Sequence, residues 1–256
     1  MRAQEYKPWI VLAIVIIAIA SIYLYRPERR PQNIQTTPDR VYGTRPFLAD
    51  ISVINLDSSK KRWLDVQKQL EVLPYPIERF PAIDGRKMSE AEYAKQGIPY
   101  VLWPSTADQK HKKARPGEIG CYLSHRELLT QLGSKSTAPN AGHLILEDDI
   151  TIEKDAAERI TRALQTVPSD WDILCLSVSD HLDVGYPMNG IAKVTKFHGT
   201  YAMIVRHGSI PKISDAIRIM FSPIDVMLYM CEKLTIYVVV PEIVHFRRDV
   251  GSDIRD

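Results

Sequence analysis

From Ile51 onward, short apolar runs rich in β-branched residues alternate with segments whose apolar residues recur at helical spacing, and this alternation is the tightest constraint on the fold. Ile51 to Leu56 (ISVINL) reads as a strand, and Asp57-Ser58-Ser59 behind it as a helix start. Trp63, Val66, Gln67 and Leu70 carry a helical face up to Pro74, and Ile77 to Ile83 reads as a second strand closing at Asp84-Gly85. The first unit is therefore β-α-β. Glu118 to Leu132 predicts a helix with Ile119, Leu123, Leu128, Leu129 and Leu132 on its buried side, and His143 to Leu146 (HLIL) predicts a buried strand that runs into Glu147-Asp148-Asp149. A helix follows over 154–167, then strands over 172–176, 192–197, 201–205 and 235–240, with helices over 210–220 and 226–231. Such a pattern implies an α/β fold, a mainly parallel, Rossmann-like sheet with helices on both faces.

Ahead of this domain, a tail (1–8) leads into a charge-free run from Trp9 to Tyr25, which as a helix would extend roughly 26 Å. Trp9, Tyr23 and Tyr25 lie at its ends and Arg2, Lys7, Arg26, Arg29 and Arg30 flank it, so the expectation is a single-pass membrane anchor, with a cleaved signal peptide as the alternative. The side of the membrane stays open. Residues 26–48 contain Pro27, Pro31, Pro38 and Pro46 among polar residues, the composition of an extended stem, and the catalytic domain is expected over 49–256.

Composition excludes some functions. A formal net charge of +2 over 256 residues is too near neutral for a protein that works by gripping nucleic acid. The basic stretch from Lys110 to Arg115 has no interleaved aromatics to stack bases, so no nucleic-acid partner is expected. Cys121, Cys175 and Cys231 are far apart in apolar surroundings with no C-x-x-C pair, which reads as reduced core residues.

The chemistry centres on Glu147-Asp148-Asp149. Three adjacent carboxylates at the end of a buried strand repel one another unless a cation or hydrogen-bond donors compensate, and ligands of open α/β sheets bind at the carboxyl ends of strands. Glu147 and Asp149, two apart in an extended segment, are placed to offer oxygens to Mn²⁺ or Mg²⁺, with Asp148 left to contact sugar or ribose. The alternative is an acidic loop whose Asp caps the next helix.

Other segments decide between these readings. VINLDSSKKR (Val53 to Arg62), FPAIDGR (Phe80 to Arg86), GEIGCYLSH (Gly117 to His125), LILEDD (Leu144 to Asp149), DWDIL (Asp170 to Leu174), HGTYAMIV (His198 to Val205), PIDVML (Pro223 to Leu228) and GSDI (Gly251 to Ile254) occur in that order. In this set of strings the chain resembles glycosyltransferase family 25, which includes bacterial lipooligosaccharide galactosyltransferases and collagen galactosyltransferases. The resemblance implies a GT-A type nucleotide-sugar-binding fold, an inverting transfer, and a UDP-galactose donor used on a glycan, glycolipid or glycoprotein acceptor. It also implies that Glu147-Asp148-Asp149 serves as the family's metal motif. Asn55 with Lys60, Lys61 and Arg62 then grips the donor nucleotide, joined by Asp84, Gly85, Ser124, His125, Asp148, Gly199 and Thr200. His125 has the alternative of a packed helical histidine.

Inversion needs an acceptor-side base, and Asp225 is the candidate, with capping of the helix from Val226 as its other reading. His245 stands where a glutamine is common in the family and is either a third metal ligand or a surface residue. Two further classes are compatible with carboxylates beside a parallel sheet: a metal-dependent nucleotidyltransferase or phosphohydrolase, and a non-catalytic membrane-tethered glycan-binding module.

Overall fold

The structure, a computed structural model, describes residues 45–103, 114–178 and 180–247. In chain order the strands and helices are β1 (Phe47–Asn55), α1 (Lys60–Leu70), β2 (Ile77–Pro81), α2 (Glu90–Lys95), α3 (Pro116–Ser134), β3 (Ala141–Glu147), β4 (Ile150–Ile152) and α4 (Ala156–Thr166). They continue as β5 (Ile173–Cys175), β6 (Asp180–Val184), β7 (Ile191–His198), β8 (Ala202–Arg206), α5 (Ile210–Ala216), α6 (Ile224–Met230), β9 (Ile236–Val239) and β10 (Val244–Phe246).

Eight strands form one sheet in the order β2-β1-β3-β8-β5-β9-β7-β6, and β4 pairs with β10 in a separate two-stranded sheet. The expectation of a mainly parallel sheet holds for direction, since only β8 and β7 run against the other six. It does not hold for pairing. Each reversed strand sits between two others, so β3–β8, β8–β5, β9–β7 and β7–β6 are antiparallel, and only β2–β1, β1–β3 and β5–β9 are parallel.

The central strands read as continuous apolar runs because helices cover both faces of the sheet. Side chains alternate between two cores, as the period of two in a strand requires. Ile51, Val53, Leu144, Leu146, Leu174 and Ile204 join Val66 and Leu70 of α1 and Ile160 and Leu164 of α4 on one face. Ile54, Ile145, Ile173, Cys175, Met203 and Val205 join α3, α5 and α6 on the other, through Ile119, Leu123, Ile213 and Met227. β1 begins at Phe47, four residues before the expected start, and Leu48 is buried, so the strand reaches across the stem boundary placed at residue 48.

Parallel pairing of β1 with β2 and β3, with Asn55 opposite Pro81 and Ile54 opposite Glu147, brings three carboxyl ends to one edge of the sheet. This edge carries the site.

The single-pass membrane localisation expected from the sequence is corrected. No helix among the described residues is long and apolar enough to cross a membrane. Residues 9–25, on which the expectation rested, lie outside the described residues, as do most of the stem, the basic residues 110–113 and the GSDI string.

Candidate active site

At the carboxyl ends of β1 to β3 opens a cleft with about 560 Å³ of empty space, part of it open to solvent. Its lining includes Arg62, Asp84, Gly85, Ser124, His125 and the three acids Glu147, Asp148 and Asp149. The acidic string is thus not an exposed loop: Asp148 and Asp149 are 8% and 6% exposed.

Each acid has a different setting. Asn55, at the end of β1, donates through Nδ2 to Asp148 Oδ2 at 2.5 Å, and Arg62 Nη1 lies 3.5 Å from Asp148 Oδ1. Asn55 is itself oriented, because its Oδ1 accepts from Arg79 Nε at 2.7 Å while Arg79 also donates to the Asn55 carbonyl and to Asp57. Arg79 was missed in the sequence, where the alternation of β2 shows only a polar position. Glu147 Oε1 accepts from Thr200 Oγ1 at 3.1 Å. Burial, and then the negative charge of Asp149, push the Glu147 carboxyl up to about 8.

The wall opposite the acids is built by close backbone contact. A Cβ on Gly85 would fall 1.9 Å from the Pro116 carbonyl oxygen, and one on Gly120 would fall 2.5 Å from the Ile83 carbonyl oxygen, so the turn after β2 packs directly on α3 only because both are glycine. Ser124 locks this contact: its hydroxyl donates to the Gly120 carbonyl at 2.6 Å and accepts from the Ile83 N–H at 2.8 Å. Asp84 caps the following turn and pairs with Arg86, which holds its carboxyl below the usual range. His125, one residue past Ser124, is fully buried; its Nδ1 lies 3.0 Å from the Cys121 carbonyl and its Nε2 lies 4.0 Å from Glu147 Oε1. Burial lowers its pKa.

Gly199, at φ 88°, and Thr200 follow β7. The Gly199 N–H donates to Asp225 Oδ2 at 2.9 Å, and Asp225 Oδ1 accepts from the Val226 N–H at 2.8 Å. The helix begins at Ile224 with Pro223 as its N-cap, so Asp225 is not the cap expected for a helix from Val226. It sits in the first turn of α6, and it also ties the Gly199-Thr200 turn that holds Glu147, with His198 Nδ1 3.5 Å from Oδ2.

Three expected residues fall elsewhere. Lys60 and Lys61 are exposed in the first turn of α1 and do not line the cleft, which leaves Arg62 as the cation of that cluster facing it. His245 is corrected as a partner of the acids: β10 pairs it with Thr151, and its ring meets Glu153 at 2.9 Å and Glu242 at 3.7 Å. It is not among the residues that line the cleft, and the ligand atoms that converge among the described residues are those of Cys121, His125 and Glu147. Cys121 was read as core. The signal available was its i,i+4 spacing to His125 on one helix face.

The sequence pattern of glycosyltransferase family 25, described as an LPS biosynthesis protein family, matches residues 49–215, well over half of the chain. The chain belongs to glycosyltransferase family 25. The family 25 match takes in every strand and helix that lines the cleft but ends before Asp225 and His245. The chain is 36% identical over 110 residues to a glycosyltransferase 25 family member of Anopheles gambiae, covering 41% of this chain and 17% of that protein. It is 26% identical over 156 residues to procollagen galactosyltransferase 1-B of Xenopus laevis, covering 59% of this chain and 24% of the relative. It is 25% identical over 161 residues to the inactive glycosyltransferase 25 family member 3 of Homo sapiens, covering 61% and 24%. The chain spans a quarter or less of the length of these relatives.

Proposed function

We propose that this cleft transfers galactose from UDP-galactose to a hydroxyl of a glycan, glycolipid or glycoprotein acceptor, with inversion, on a GT-A type framework. The observation that supports it is the convergence of Arg62, Glu147, Asp148 and Asp149 on one cleft at the carboxyl ends of three parallel strands, with buried Asn55 bonded to Asp148 behind them. Arg62 at this edge suits a diphosphate, and Asp148, held by Asn55 and Arg62, presents a fixed carboxylate to ribose or sugar hydroxyls.

Glu147 and Asp149 suit Mn²⁺ or Mg²⁺, hard cations that take oxygen ligands, because they are neighbouring acids in a buried cluster where burial, and then the charge of Asp149, raise the Glu147 carboxyl. When bound, the cation supplies charge stabilisation to the departing UDP. The protein's own residues do the rest. Thr200 orients Glu147, the Gly85–Gly120 contact shapes the wall, and Asp225 takes the proton from the acceptor hydroxyl as that oxygen attacks the anomeric carbon. Although both Asp225 oxygens already accept N–H bonds, a carboxylate has about four lone-pair sites and retains capacity for a proton.

The test is a panel of UDP-sugars incubated with protein and Mn²⁺, with the nucleotide product identified. The reading expects UDP to be released, fastest from UDP-galactose and only with the cation. Release of UMP and a sugar phosphate would instead mean phosphohydrolase chemistry, and equal release from every sugar would remove the galactose assignment.

A further inference from the structure

Cys121, His125 and Glu147 bring a sulfur, a nitrogen and an oxygen to within 4.8 Å of one another at the cleft wall. Cys121 Sγ and His125 Nε2 each lie 4.0 Å from Glu147 Oε1. The hydrogen-bond inventory of this corner does not close without something more. His125 Nδ1 lies 3.0 Å from the Cys121 carbonyl and 3.6 Å from Cys121 Sγ; in the tautomer that donates from Nδ1 to the carbonyl, Nε2 carries a lone pair. That buried Nε2 has no partner at hydrogen-bond geometry, although the Thr200 backbone lies beside the ring. It faces Glu147 Oε1 across 4.0 Å, a gap too long for a shared proton.

From this geometry we propose a divalent-cation site of zinc-like softness, with Cys121 Sγ, His125 Nε2 and Glu147 Oε1 as its protein ligands. Thiolate, imidazole and carboxylate together select a borderline metal rather than the hard cations suited to the oxygen-only pair Glu147 and Asp149. Around tetrahedral zinc, with bonds of about 2.0–2.3 Å, ligand atoms lie roughly 3.3–3.6 Å apart, so closing the site needs approaches of about half an ångström for the 4.0 Å pairs and of no more than about 1.5 Å for any pair. The support already exists: a ligating histidine commonly donates its other N–H to a backbone carbonyl, as His125 does to Cys121, and Thr200 Oγ1 bonds the ligating carboxylate oxygen. Binding releases the Cys121 thiol proton, and any proton on Glu147, to solvent. Because all three residues line the cleft, the fourth coordination position is open to it, as in catalytic rather than structural zinc sites. Glu147 Oε2 is left for the donor cation. The site does not depend on which sugar is moved, or on transfer at all.

The test uses the full chain, reduced and chelator-treated, titrated with Co²⁺ while near-ultraviolet absorption is recorded. The expected result is a thiolate-to-cobalt charge-transfer band that saturates at one equivalent and is displaced by Zn²⁺. Cys121→Ser should remove the band and weaken Zn²⁺ binding roughly 100-fold, with an unchanged circular dichroism spectrum. Asp149→Asn should keep the band. No band in the wild-type protein, the same band in Cys121→Ser, or loss of the band in Asp149→Asn would each overturn the assignment. The wild-type spectrum decides the matter even if a variant fails to fold, and none of these readouts involves sugar transfer.

Discussion

β1 and β3 carry a polar cluster at each end, and the two clusters are settled differently. At the amino ends, Asp50 of β1 accepts from His143 of β3 at 2.8 Å and from Lys135 at 3.0 Å, and His143 passes on to His207 at 3.0 Å. Burial alone would raise the Asp50 carboxyl, but the bonds and charges of His143 and Lys135 outweigh it and hold the group below its usual value. At the carboxyl ends the same two strands deliver Asn55 and Glu147, and there burial and Asp149 drive Glu147 up to about 8. One end is neutralised by its own side chains. The other holds a carboxyl raised by burial beside a cleft, which is how a ligand site differs from a structural ion pair.

Breaking the carboxyl end should cost activity far more than stability. Asp149→Asn removes an anionic ligand and should lower transfer by ~10³-fold or more, since the charge stabilisation lost is several kcal/mol. Assay of UDP release in Mn²⁺ checks this, and full activity after chelator treatment would end the cation reading. Asp225→Asn keeps one oxygen for the backbone bonds but is a poor proton acceptor, and should lower the transfer rate by roughly 10²- to 10⁴-fold with donor affinity unchanged. A variant that transfers normally would leave Asp225 as the residue that holds Gly199.

The two ends should also respond oppositely to pH. Glu147 keeps its proton in the folded, cation-free protein up to about 8 while the unfolded chain loses it near 4.5, so the folded state binds more protons and stability falls as pH rises through that window. Thermal midpoints of chelated protein should show this slope, and Glu147→Gln should flatten it. Asp50 has the reverse sign: its contribution is present above the unfolded value of about 3.9 and is lost as pH falls through the lower folded value. Asp50→Asn, the mildest change, should cost ~1–3 kcal/mol in denaturant melts and leave transfer intact.

The same contrast explains what could be read in the sequence. ISVINL and HLIL gave away the central strands because burial on both faces forces uninterrupted apolar residues, and the acids after Leu146 followed from strand-end position. The first half of β1 was hidden by Asp50, whose burial makes sense only with His143, distant in sequence. β4 and β10 are three residues each, too short for periodicity to register, and their pairing is what sets His245 opposite Thr151. The reversal of β8 and β7 has no local signature, since strand direction is set by the connections and not by composition. Cys121 looked like core because it stands in an apolar helix, and only the fold shows that its turn of α3 faces Glu147.

The central claim is that the carboxyl-end cluster, and not the amino-end one, is where donor binds. Calorimetric titration of UDP-galactose into the wild type, Asp149→Asn and Asp50→Asn, each with Mn²⁺ and with chelator, tests it most directly. The account predicts saturable, Mn²⁺-dependent binding in the wild type and in Asp50→Asn, and loss of it in Asp149→Asn. Equal binding by all three proteins, or binding that survives the chelator unchanged, would contradict it.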